Sequence, residues 1–491
     1  MLLSRLTARC RSENKIKADV EIKKVTPDSR QADADSLFVC VPGAKYDGHD
    51  FAVFAYKNGC RNFAAERNLK LPEDAQVLIF KDARIALAEI SHAFYSHPSE
   101  RLKVIGITGT KGKTITAQLI YHTLNHNNIK TGYIGTNGVA YGDHEERTAN
   151  TTPESIELAR IMSDMVRDGV KYVVLEVSSQ ALYMNRVRAV EFDSLIYTNL
   201  YTDHIGGAEH PTFEHYRDSK RRLFAEFPTT LVVTNGDDPY SDFMTEGTEG
   251  HRVEYSVGGD GWIRAEKAGL YRDGFQLGVE FDLCVCDRRQ KIRLPMPGRF
   301  NIHNALAAAV VCIKAGVRLE RIADSFGKAK INGRFQVEQF DTKATFVIDY
   351  AHNGASLESV LEVLRAYEPK RLICLFGSVG GRTKTRRAEL AAAASKYCDL
   401  CILTSDNPDL EDPDQIIDEI ASHMDGCPYE RIADRREAIE RAVEIAREGD
   451  IVLFAGKGHE RYQLIKGEMV PFCERQILYA CLKKAEEAVK V

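Results

Sequence analysis

A glycine-rich segment that ends in lysine and threonine is the part of this sequence best suited to bind phosphate. It is Gly106-Ile-Thr-Gly-Thr-Lys-Gly-Lys-Thr114, between a β-branched apolar run and a helix-like run. Glycines let backbone N–H groups curve around phosphate oxygens, and a helix N-terminus adds a favourable dipole. Lys113 can reach the outer phosphates and Thr114 can hold Mg²⁺. The segment therefore predicts ATP binding.

The spacing of this loop departs from the strict GxxxxGK[ST] pattern, because five residues separate Gly106 from Gly112. A variant phosphate loop is therefore expected. The alternative is a glycine-rich turn between strand and helix that binds no nucleotide. The GKT ending and the flanking elements favour the phosphate loop.

Acidic and histidine residues at the ends of apolar runs are candidates to hold a cation. Glu176 ends the run KYVVLEV, where a carboxylate is costly unless it is paired or bound to metal. His204 follows SLIYTNL, where α/β sheets gather ligands, although a simple loop histidine stays open. Phosphoryl transfer needs hard ligands for its cations, so Thr114, Glu176 and His204 form the candidate metal set.

The elements that position these residues indicate an α/β protein of three domains. A chain of 491 residues exceeds what one core normally covers. A strand–loop–helix pattern begins at Leu102, and apolar strand runs alternate with helices in the central and final parts. We predict an N-terminal domain over 1–99, a central P-loop ATPase-type domain with a mostly parallel sheet over 100–333, and a C-terminal Rossmann-like domain over 334–491.

Composition argues against several partners. The formal net charge of −5 gives no basic footprint for nucleic acid, and no run approaches the roughly 18 apolar residues of a membrane span. A cytoplasmic monomer is expected. The 12 cysteines lie mostly singly in apolar runs, which suits reduced thiols. Cys398 and Cys401 have redox or zinc-like spacing, but with no second pair close by in sequence they are interpreted as structural.

The phosphate loop, TGTKGKT, resembles that of the Mur ligases and of the related folylpolyglutamate synthetases. Further motifs, in order, resemble those of the UDP-N-acetylmuramoyl-tripeptide synthetases of the Mur ligase family. They are DSR at 28–30, NTTPE at 150–154, EVSSQAL at 176–182, TDHIG at 202–206, HPTFEHYRDSKRRLF at 210–224, GRFNIHNALAA at 298–308, DYAHN at 349–353, SDNP at 405–408 and GKGHE at 456–460. The resemblance covers all three predicted domains.

This resemblance implies roles around ATP and magnesium. Glu176 and His204 would help bind Mg²⁺, and Lys220 would be an N6-carboxylysine whose acquired carboxylate supports a metal. Lys113, Lys220, His204 and Glu176 would be catalytic. From the residues alone, Lys220 lies in a basic helical stretch where a solvated lysine is the ordinary interpretation. The implied ATP-binding residues are Thr108, Gly109, Thr110, Lys111, Gly112, Lys113 and Thr114, with Asn304 near adenine, Arg334 near the γ-phosphate and Asp349 near the ribose.

The resemblance also implies where the other substrates bind. Met184 stands where a glutamine is often seen. The segment Thr151–Glu154 could also be a helix start with a capping role, alongside a binding role. Ser29, Ala44, Lys45 and Tyr46 would bind the uridine nucleotide, and Asn150, Thr151, Thr152, Ser178 and Arg186 would lie along the muramoyl peptide. The incoming amino acid would meet Arg382, Asp406, Asn407, Pro408, Asp409, Gly456 and Glu460.

Asp409 bears on which amino acid is added. Relatives that add meso-diaminopimelate have arginine there, and an aspartate would repel the distal carboxylate of that substrate but suit a lysine ammonium. At about 4 Å and an effective dielectric near 20, such an attraction is roughly 4 kcal/mol before desolvation. We therefore predict L-lysine, with meso-diaminopimelate or L-ornithine as alternatives. Asp409 could also simply cap a turn.

The expected reaction is ATP-dependent formation of an acyl phosphate on the D-glutamate of UDP-MurNAc-L-Ala-D-Glu, followed by attack of the incoming amine. A folylpolyglutamate synthetase is the alternative within this reaction class, and the DSR and NTTPE motifs argue against it. A GTP-dependent switch is the alternative outside it. The guanine-binding NKxD pattern is absent from the sequence, with TNGDD at 234–238 its nearest approach.

Overall fold

A computed structural model describes residues 1–43, 46–202, 205–206, 210–274, 276–329, 336–338, 344–381, 385–458 and 460–489. The chain divides into two compact units. The first comprises Met1–Glu266, Leu283–Gln290 and His303–Ser325, and the second comprises Lys267–Asp282, Lys291–Ile302 and Phe326–Val491. The predicted domain limits at 99 and 333 stay predictions.

The first unit begins with a four-stranded parallel sheet, in the order β1 Lys24–Thr26, β2 Ser36–Val39, β3 Asn62–Ala65, β4 Gln76–Ile79. Three helices accompany it: α1 Leu3–Leu6, α2 Ala52–Lys57 and α3 Ala83–Phe94. Short 3-10 helices cover Gly48–Phe51 and Pro98–Arg101. The carboxylate of Asp82 accepts from the backbone N–H groups of Arg84 and Ile85, so it caps α3.

A larger sheet follows, and it carries the glycine-rich loop. Its strands are β5 Lys103–Thr108, β6 Thr131–Gly135, β7 Gly138–Tyr141, β8 His144–Glu146, β9 Tyr172–Glu176, β10 Ser194–Tyr197, β11 Leu231–Asn235, β12 His251–Val257, β13 Ile263–Asp273, β14 Gln276–Val285 and β15 Arg288–Leu294. They are ordered β15-β14-β13-β12-β11-β10-β5-β9-β6-β7-β8. Strands β5, β6 and β9 to β12 pair in parallel, as predicted, whereas β7 and β8 are antiparallel.

Helices connect and cover these strands. They are α4 Lys113–His126, α5 Ser155–Arg167, α6 Ser179–Tyr183, α7 Phe213–Ala225, α8 Ser241–Thr245, α9 Phe300–Lys314 and α10 Leu319–Gly327. Because β5, β9 and β10 pair in parallel, their carboxyl ends lie at the same end of the sheet, where open parallel sheets commonly bind ligands.

The second unit contains a sheet in the order β16-β17-β21-β18-β19-β20. Its strands are β16 Gln336–Glu338, β17 Thr345–Asp349, β18 Leu372–Phe376, β19 Leu400–Leu403, β20 Tyr429–Arg431 and β21 Ile451–Ala455, and a hairpin of β22 Tyr462–Ile465 and β23 Glu468–Pro471 follows. Strand β16 is antiparallel to β17, and the remaining pairs of the sheet are parallel.

Helices cover both faces of this second sheet. They are α11 Gly354–Arg365, α12 Thr385–Tyr397, α13 Pro413–Ala421, α14 Arg435–Ile445 and α15 Glu474–Val489. Leu361, Leu390 and Ile417 lie in the core of one face, whereas Ile439 and Leu478 lie in the core of the other. This arrangement confirms the predicted α/β class and the Rossmann-like final domain. Within the described part of the chain, no helix is long and apolar enough to cross a membrane.

Candidate active site

The glycine-rich loop joins β5 to α4 in the predicted strand–loop–helix order. Gly112 has a left-handed φ of 86°, which favours glycine, and it immediately precedes the first residue of α4, Lys113. A Cβ at Gly112 would overlap the side-chain oxygen of Asn304, and one at Gly109 would overlap the hydroxyl of Thr198. The loop therefore depends on glycine at both positions.

Residues that follow β10 hold this loop in shape. The backbone N–H of Thr110 donates to the carbonyl of Asn199 at 2.9 Å, and the N–H of Lys111 donates to Asn199 Oδ1 at 2.9 Å. The hydroxyl of Thr198 donates to the carbonyl of Lys111 at 2.8 Å. Sequence reasoning missed Thr198 and Asn199, although polar residues directly after a buried strand were the available signal.

Two lysine ammonium groups meet at one backbone oxygen of the loop. Lys113 Nζ donates to the carbonyl of Gly109 at 2.8 Å, and Lys220 Nζ donates to the same oxygen at 3.0 Å. Lys220 is only 2% exposed and its ammonium lies 4.5 Å from the ring centroid of Tyr216. The ordinary interpretation of Lys220 as a solvated lysine is wrong, because α7 turns Tyr216, Ser219, Lys220, Leu223 and Phe224 inward.

Glu176 ends β9 as predicted and is fully buried with several donors around it. Its Oε2 accepts from the hydroxyl of Thr114 at 2.8 Å, and its Oε1 accepts from the hydroxyl of Tyr133 at 2.6 Å and from the N–H of Thr136 at 3.1 Å. Burial, followed by the charge of Glu176, raises the pKa of Tyr133, so its hydroxyl stays a donor. Tyr133 was not foreseen from the sequence.

Thr114 and Glu176, two of the three candidate metal ligands, are thus in contact, and their oxygens are of the kind that Mg²⁺ prefers. The third, His204, lies outside the described residues. Among the residues that the structure describes, no three histidine, cysteine or acidic side chains form a group that could hold a metal. The donor chemistry of Thr114 and Glu176 fits a magnesium ion.

The segment Asn150–Glu154 lies against the residues that follow β9. The hydroxyl of Thr152 donates to the carbonyl of Glu176 at 2.8 Å and accepts from the N–H of Ser178 at 3.1 Å. Arg186 donates to the carbonyl of Thr152 at 3.2 Å and pairs with Glu154 at 2.7 Å. The structure therefore brings together Thr152, Ser178 and Arg186.

The remaining residues of this segment have different surroundings. The hydroxyl of Thr151 lies 3.2 Å from that of Thr136, and the carbonyl of Asn150 accepts from Thr148 at 2.9 Å. Helix α5 begins after Glu154, whose side chain makes no capping bond to the described first turn. The helix start considered for this segment is therefore confirmed, whereas a side-chain capping role of Glu154 is wrong. Ser178 instead caps α6 by accepting from the N–H of Ala181 at 3.1 Å.

Three further predicted residues lie elsewhere in the first unit. Asn304, on α9, is buried and accepts from the hydroxyl of Thr116 at 3.5 Å, beside Gly112 of the loop. Ser29 is buried in the N-terminal region, where its carbonyl accepts from Asn58 at 3.1 Å. Tyr46 is 73% exposed. Ala44 and Lys45 lie outside the described residues.

In the second unit, predicted residues gather after the carboxyl ends of β17, β19 and β21. Asp349 ends β17, is buried, and accepts from the N–H of Ala351 at 2.8 Å. The N–H of Gly456 donates to the carbonyl of Asp349 at 3.1 Å, and a Cβ at Gly456 would lie 2.6 Å from a carboxylate oxygen of Asp406. Arg334 and Arg382 lie outside the described residues.

Lys457 lies at the centre of a polar group that we call the Lys457 cluster, which consists of Asp406, Asn407, Lys457 and Glu460. Lys457 was not predicted from the sequence. Its ammonium is fully buried and donates to Glu460 Oε2 at 2.6 Å and to Asn407 Oδ1 at 2.8 Å. Asp406 lies 3.8 Å from the same ammonium, and burial raises the pKa of Asp406 although Arg435 and Lys457 oppose the shift. The available signal was a lysine between two glycines directly after the buried strand β21.

Asp409 occupies a turn beside the hairpin. It has a left-handed φ of 54°, its N–H donates to the carbonyl of Leu464 at 2.9 Å, and its carboxylate accepts from the N–H of Gly467 at 3.1 Å. Asp409 thus caps the hairpin turn between β22 and β23, and whether it also contacts substrate stays a prediction. Pro408 is buried, and its carbonyl packs against Gly380.

Comparison with known families decides the class of this protein. Three domain models match, described as "Mur ligase family, catalytic domain" over 21–95, "Mur ligase middle domain" over 107–312 and "Mur ligase, glutamate ligase domain" over 333–458. This chain belongs to the Mur ligase family. It is therefore an ATP-binding ligase of peptidoglycan synthesis, as the motifs predicted.

Similar Mur ligases extend over the whole chain. A protein of Caldanaerobacter subterraneus subsp. tengcongensis named UDP-N-acetylmuramoyl-L-alanyl-D-glutamate--2,6-diaminopimelate ligase is 37% identical over 489 residues, covering 99% of this chain and 100% of the relative. One of the same name from Geobacillus thermodenitrificans is 37% identical over 475 residues, covering 94% and 95%. A solved structure of a ligase of that name is 28% identical with a TM-score of 0.76 and covers 99% of this Mur ligase and 100% of its own chain.

These relatives bear on the predicted amino acid. The prediction of a Mur ligase that adds an amino acid is confirmed at the level of the family. The prediction of L-lysine is not supported, because the relatives' names contain 2,6-diaminopimelate, the stated alternative.

Proposed function

We propose that this Mur ligase joins diaminopimelate to the D-glutamate of UDP-N-acetylmuramoyl-L-alanyl-D-glutamate through an acyl phosphate. The observation that carries the reaction type is the meeting of Lys113 and Lys220 at the Gly109 carbonyl, 2.8 and 3.0 Å away, in a loop shaped for phosphate. The full-length relatives, each 37% identical, support the identity of both joined substrates.

ATP would be held by the loop and its neighbours. Backbone N–H groups of the loop and the N-terminus of α4 would face the phosphates, and Lys113 would stabilise charge on the transferred phosphoryl group. The residues proposed for ATP are Thr108, Gly109, Thr110, Lys111, Gly112, Lys113 and Thr114, together with Asn304, Arg334 and Asp349.

Thr114, Glu176 and His204 would hold Mg²⁺, which supplies positive charge that neutralises phosphate oxygens during the transfer. Hydrogen bonds hold the buried Glu176 in place, because the hydroxyl of Tyr133 at 2.6 Å and the N–H of Thr136 at 3.1 Å both donate to its Oε1. An N6-carboxylysine at Lys220 would add a carboxylate beside the loop. Incubation with ¹³C-bicarbonate should give a carbamate NMR signal that Lys220→Arg abolishes, and a signal unchanged in that variant would remove this assignment.

The two joined substrates would meet different sets of residues. Phosphorylation converts the γ-carboxylate into an acyl phosphate and releases ADP, and the neutral amine then attacks the acyl carbon and releases phosphate. The muramoyl peptide and its nucleotide would contact Ser29, Ala44, Lys45, Tyr46, Asn150, Thr151, Thr152, Ser178 and Arg186. The amino acid would contact Arg382, Asp406, Asn407, Pro408, Asp409, Gly456 and Glu460.

L-lysine is the second candidate, and one observation favours it. Asp409 places a carboxylate, 3.1 Å from the N–H of Gly467, at the edge of the proposed amino-acid region. A negative charge there favours an ammonium over a distal carboxylate. The hairpin contact explains Asp409 without any substrate, however, so diaminopimelate remains the proposed substrate.

A competition experiment tests this proposal. The purified enzyme is incubated with Mg-ATP, UDP-MurNAc-L-Ala-D-Glu and equal amounts of meso-diaminopimelate, L-lysine and L-ornithine. The mass of the product is then measured by mass spectrometry. Diaminopimelate in the product supports the proposal, and lysine or ornithine alone overturns it.

Asp409→Asn keeps an acceptor for Gly467 but removes the charge. A shift away from lysine in that variant would identify Asp409 as a selector. ATP hydrolysis that needs neither substrate would reject the ligase reaction.

The predicted cytoplasmic location and monomeric state stay predictions. Size-exclusion chromatography with light scattering tests the monomer directly.

A further inference from the structure

Four cysteine thiols gather on one face of the sheet in the second unit. Cys374 in β18 is the register partner of Cys401 in β19, Cys398 directly follows α12, and Cys427 lies just before β20. All four belong to the same hydrophobic core cluster. In sequence, only Cys398 and Cys401 are close, so the fold supplies neighbours that spacing could not reveal.

These thiols are in contact with one another. The sulfur atoms of Cys401 and Cys427 lie 3.7 Å apart, and Cys427 also donates to the carbonyl of Cys398 at 3.3 Å. The neighbouring thiols of Cys374 and Cys401 lower the pKa of Cys398 to about 5. The 3.7 Å separation is a van der Waals contact between the sulfurs, which must approach to about 2.05 Å to form a disulfide.

The two closest sulfurs differ in access and acidity. Cys401 is fully buried, whereas Cys427 is 7% exposed and lies between the exposed Gly426 and Pro428. The hydrogen bond between the two thiols lowers the pKa of Cys427, and hydrogen bonds with Cys398 and Cys427 raise that of Cys401. A thiolate is the reactive form, so Cys427 is the more reactive sulfur of this closest pair. Cys398, which is 9% exposed and whose pKa is lowered to about 5, is the rival first site of oxidation.

We propose that Cys427 and Cys401 form a site of reversible oxidation by hydroperoxides. The Cys427 thiolate attacks a peroxide oxygen, the O–O bond breaks, and the other oxygen leaves as water or an alcohol after taking up a proton. Cys401 then attacks the resulting sulfenic sulfur, the S–O bond breaks, and the hydroxide leaves as water with the Cys401 proton. The two thiols lose two electrons and two protons, and the hydroperoxide is reduced.

This site is independent of the proposed ligase reaction. Cytosolic disulfides, where they occur, are usually transient and redox-sensing, so a buried pair that closes only under oxidant is consistent with a cytoplasmic enzyme. A thiol such as dithiothreitol would reopen the bond by exchange.

The test uses the whole native protein. It is treated with hydrogen peroxide, its remaining thiols are alkylated, and its peptides are mapped by mass spectrometry. We expect loss of two alkylatable thiols, a cross-linked peptide pair that contains Cys401 and Cys427, and full reversal by dithiothreitol. Cys427→Ser should abolish the pair, whereas Cys286→Ser, at an exposed cysteine, should leave it unchanged.

Several results would overturn the assignment. One is oxidation confined to Cys286, Cys473 and Cys481 while the four core thiols stay reduced. Another is a disulfide that pairs Cys398 with Cys374 or Cys401 instead. A third is a Cys401–Cys427 bond that forms only when the protein is unfolded in denaturant. The mapping is made on the wild-type chain, so the result does not depend on whether a variant folds.

Discussion

The phosphate-loop region and the Lys457 cluster both centre on buried or half-buried lysines, but the oxygens that these lysines contact differ. At the loop, Lys113 and Lys220 donate to a backbone carbonyl, that of Gly109. In the second unit, Lys457 donates to the carboxylate of Glu460 at 2.6 Å and lies 3.8 Å from that of Asp406. A carbonyl dipole offsets far less of an ammonium charge than a carboxylate does.

This difference suggests what each region is built to receive. While Lys220 is unmodified, the loop concentrates positive charge where a polyphosphate would supply the balancing anion. With an N6-carboxylysine at Lys220, Lys113 supplies that charge together with the proposed Mg²⁺. The Lys457 cluster balances its own charges, which suits an amino acid that carries both signs. Replacing a lysine of the loop should therefore lower mainly kcat, whereas replacing Lys457 should lower mainly the free energy of unfolding.

The largest expected effect is on the stability of Lys457→Met. Removing one partner of a buried ion pair leaves the other charge uncompensated, which typically costs about 3–5 kcal/mol. We expect the free energy of unfolding, measured in urea, to fall by about that amount. Lys466→Met, at an exposed lysine of the same hairpin region, should change it by less than about 0.5 kcal/mol. Equal stability of the two variants would contradict the comparison.

Lys113→Met should show the opposite pattern. Loss of a charged group aimed at the transferred phosphoryl group should lower kcat by roughly 10²–10³-fold. The free energy of unfolding should change by only about 1 kcal/mol, since one side chain's hydrogen bonds to carbonyls are lost. The control is Lys171→Met, at an exposed lysine before β9, which should keep full turnover. A Lys113→Met enzyme that retains wild-type kcat would remove this lysine from catalysis.

Mg-ATP should stabilise the protein through the loop. At a concentration about 100 times its Kd, a ligand that binds only the folded state adds about 2.7 kcal/mol to the free energy of unfolding. Differential scanning fluorimetry should show this gain in the wild type and a smaller gain in Lys113→Met at the same ATP concentration. An identical shift in both proteins would mean that ATP binds without the help of Lys113.

The smallest effect concerns the pH dependence of stability at Asp406. Burial raises the pKa of Asp406 above its usual 3.8, so the folded state holds this proton to higher pH than the unfolded state. The resulting stability is fully present below the usual pKa and is lost as pH rises through the raised one, with a slope of at most about 1.4 kcal/mol per pH unit.

Asp406→Asn should flatten this part of the curve of unfolding free energy against pH, whereas Asp425→Asn, at an exposed carboxylate, should not. Superimposable curves for wild type and Asp406→Asn would show that this carboxyl titrates alike in both states.

Residues at strand ends were predictable from the sequence. Glu176 and Asp349 each close an apolar run, and β9 and β17 end at those residues. The glycine-rich loop was likewise placed correctly between β5 and α4. Local sequence indicates such positions, because a carboxylate at the end of an apolar run is costly to bury unless it is paired or bound to metal.

Residues that depend on long-range packing were not predictable. Spacing in a basic helix does not reveal which face is buried, so Lys220 looked solvated although it is only 2% exposed. Lys457 contacts Asn407 from 50 residues away, and Cys427 contacts Cys401 from 26 residues away. Such pairs arise from strand order, which a single sequence does not specify.

The contact between Asn304 and the phosphate loop has a consequence for synthesis of the chain. Asn304 lies beside Gly112 and accepts from Thr116, which precedes it by 188 residues. At roughly 5–20 residues per second, a ribosome needs about 10–40 s to cover that interval. The nascent phosphate loop therefore cannot form its contact with Asn304 until α9 has emerged from the ribosome.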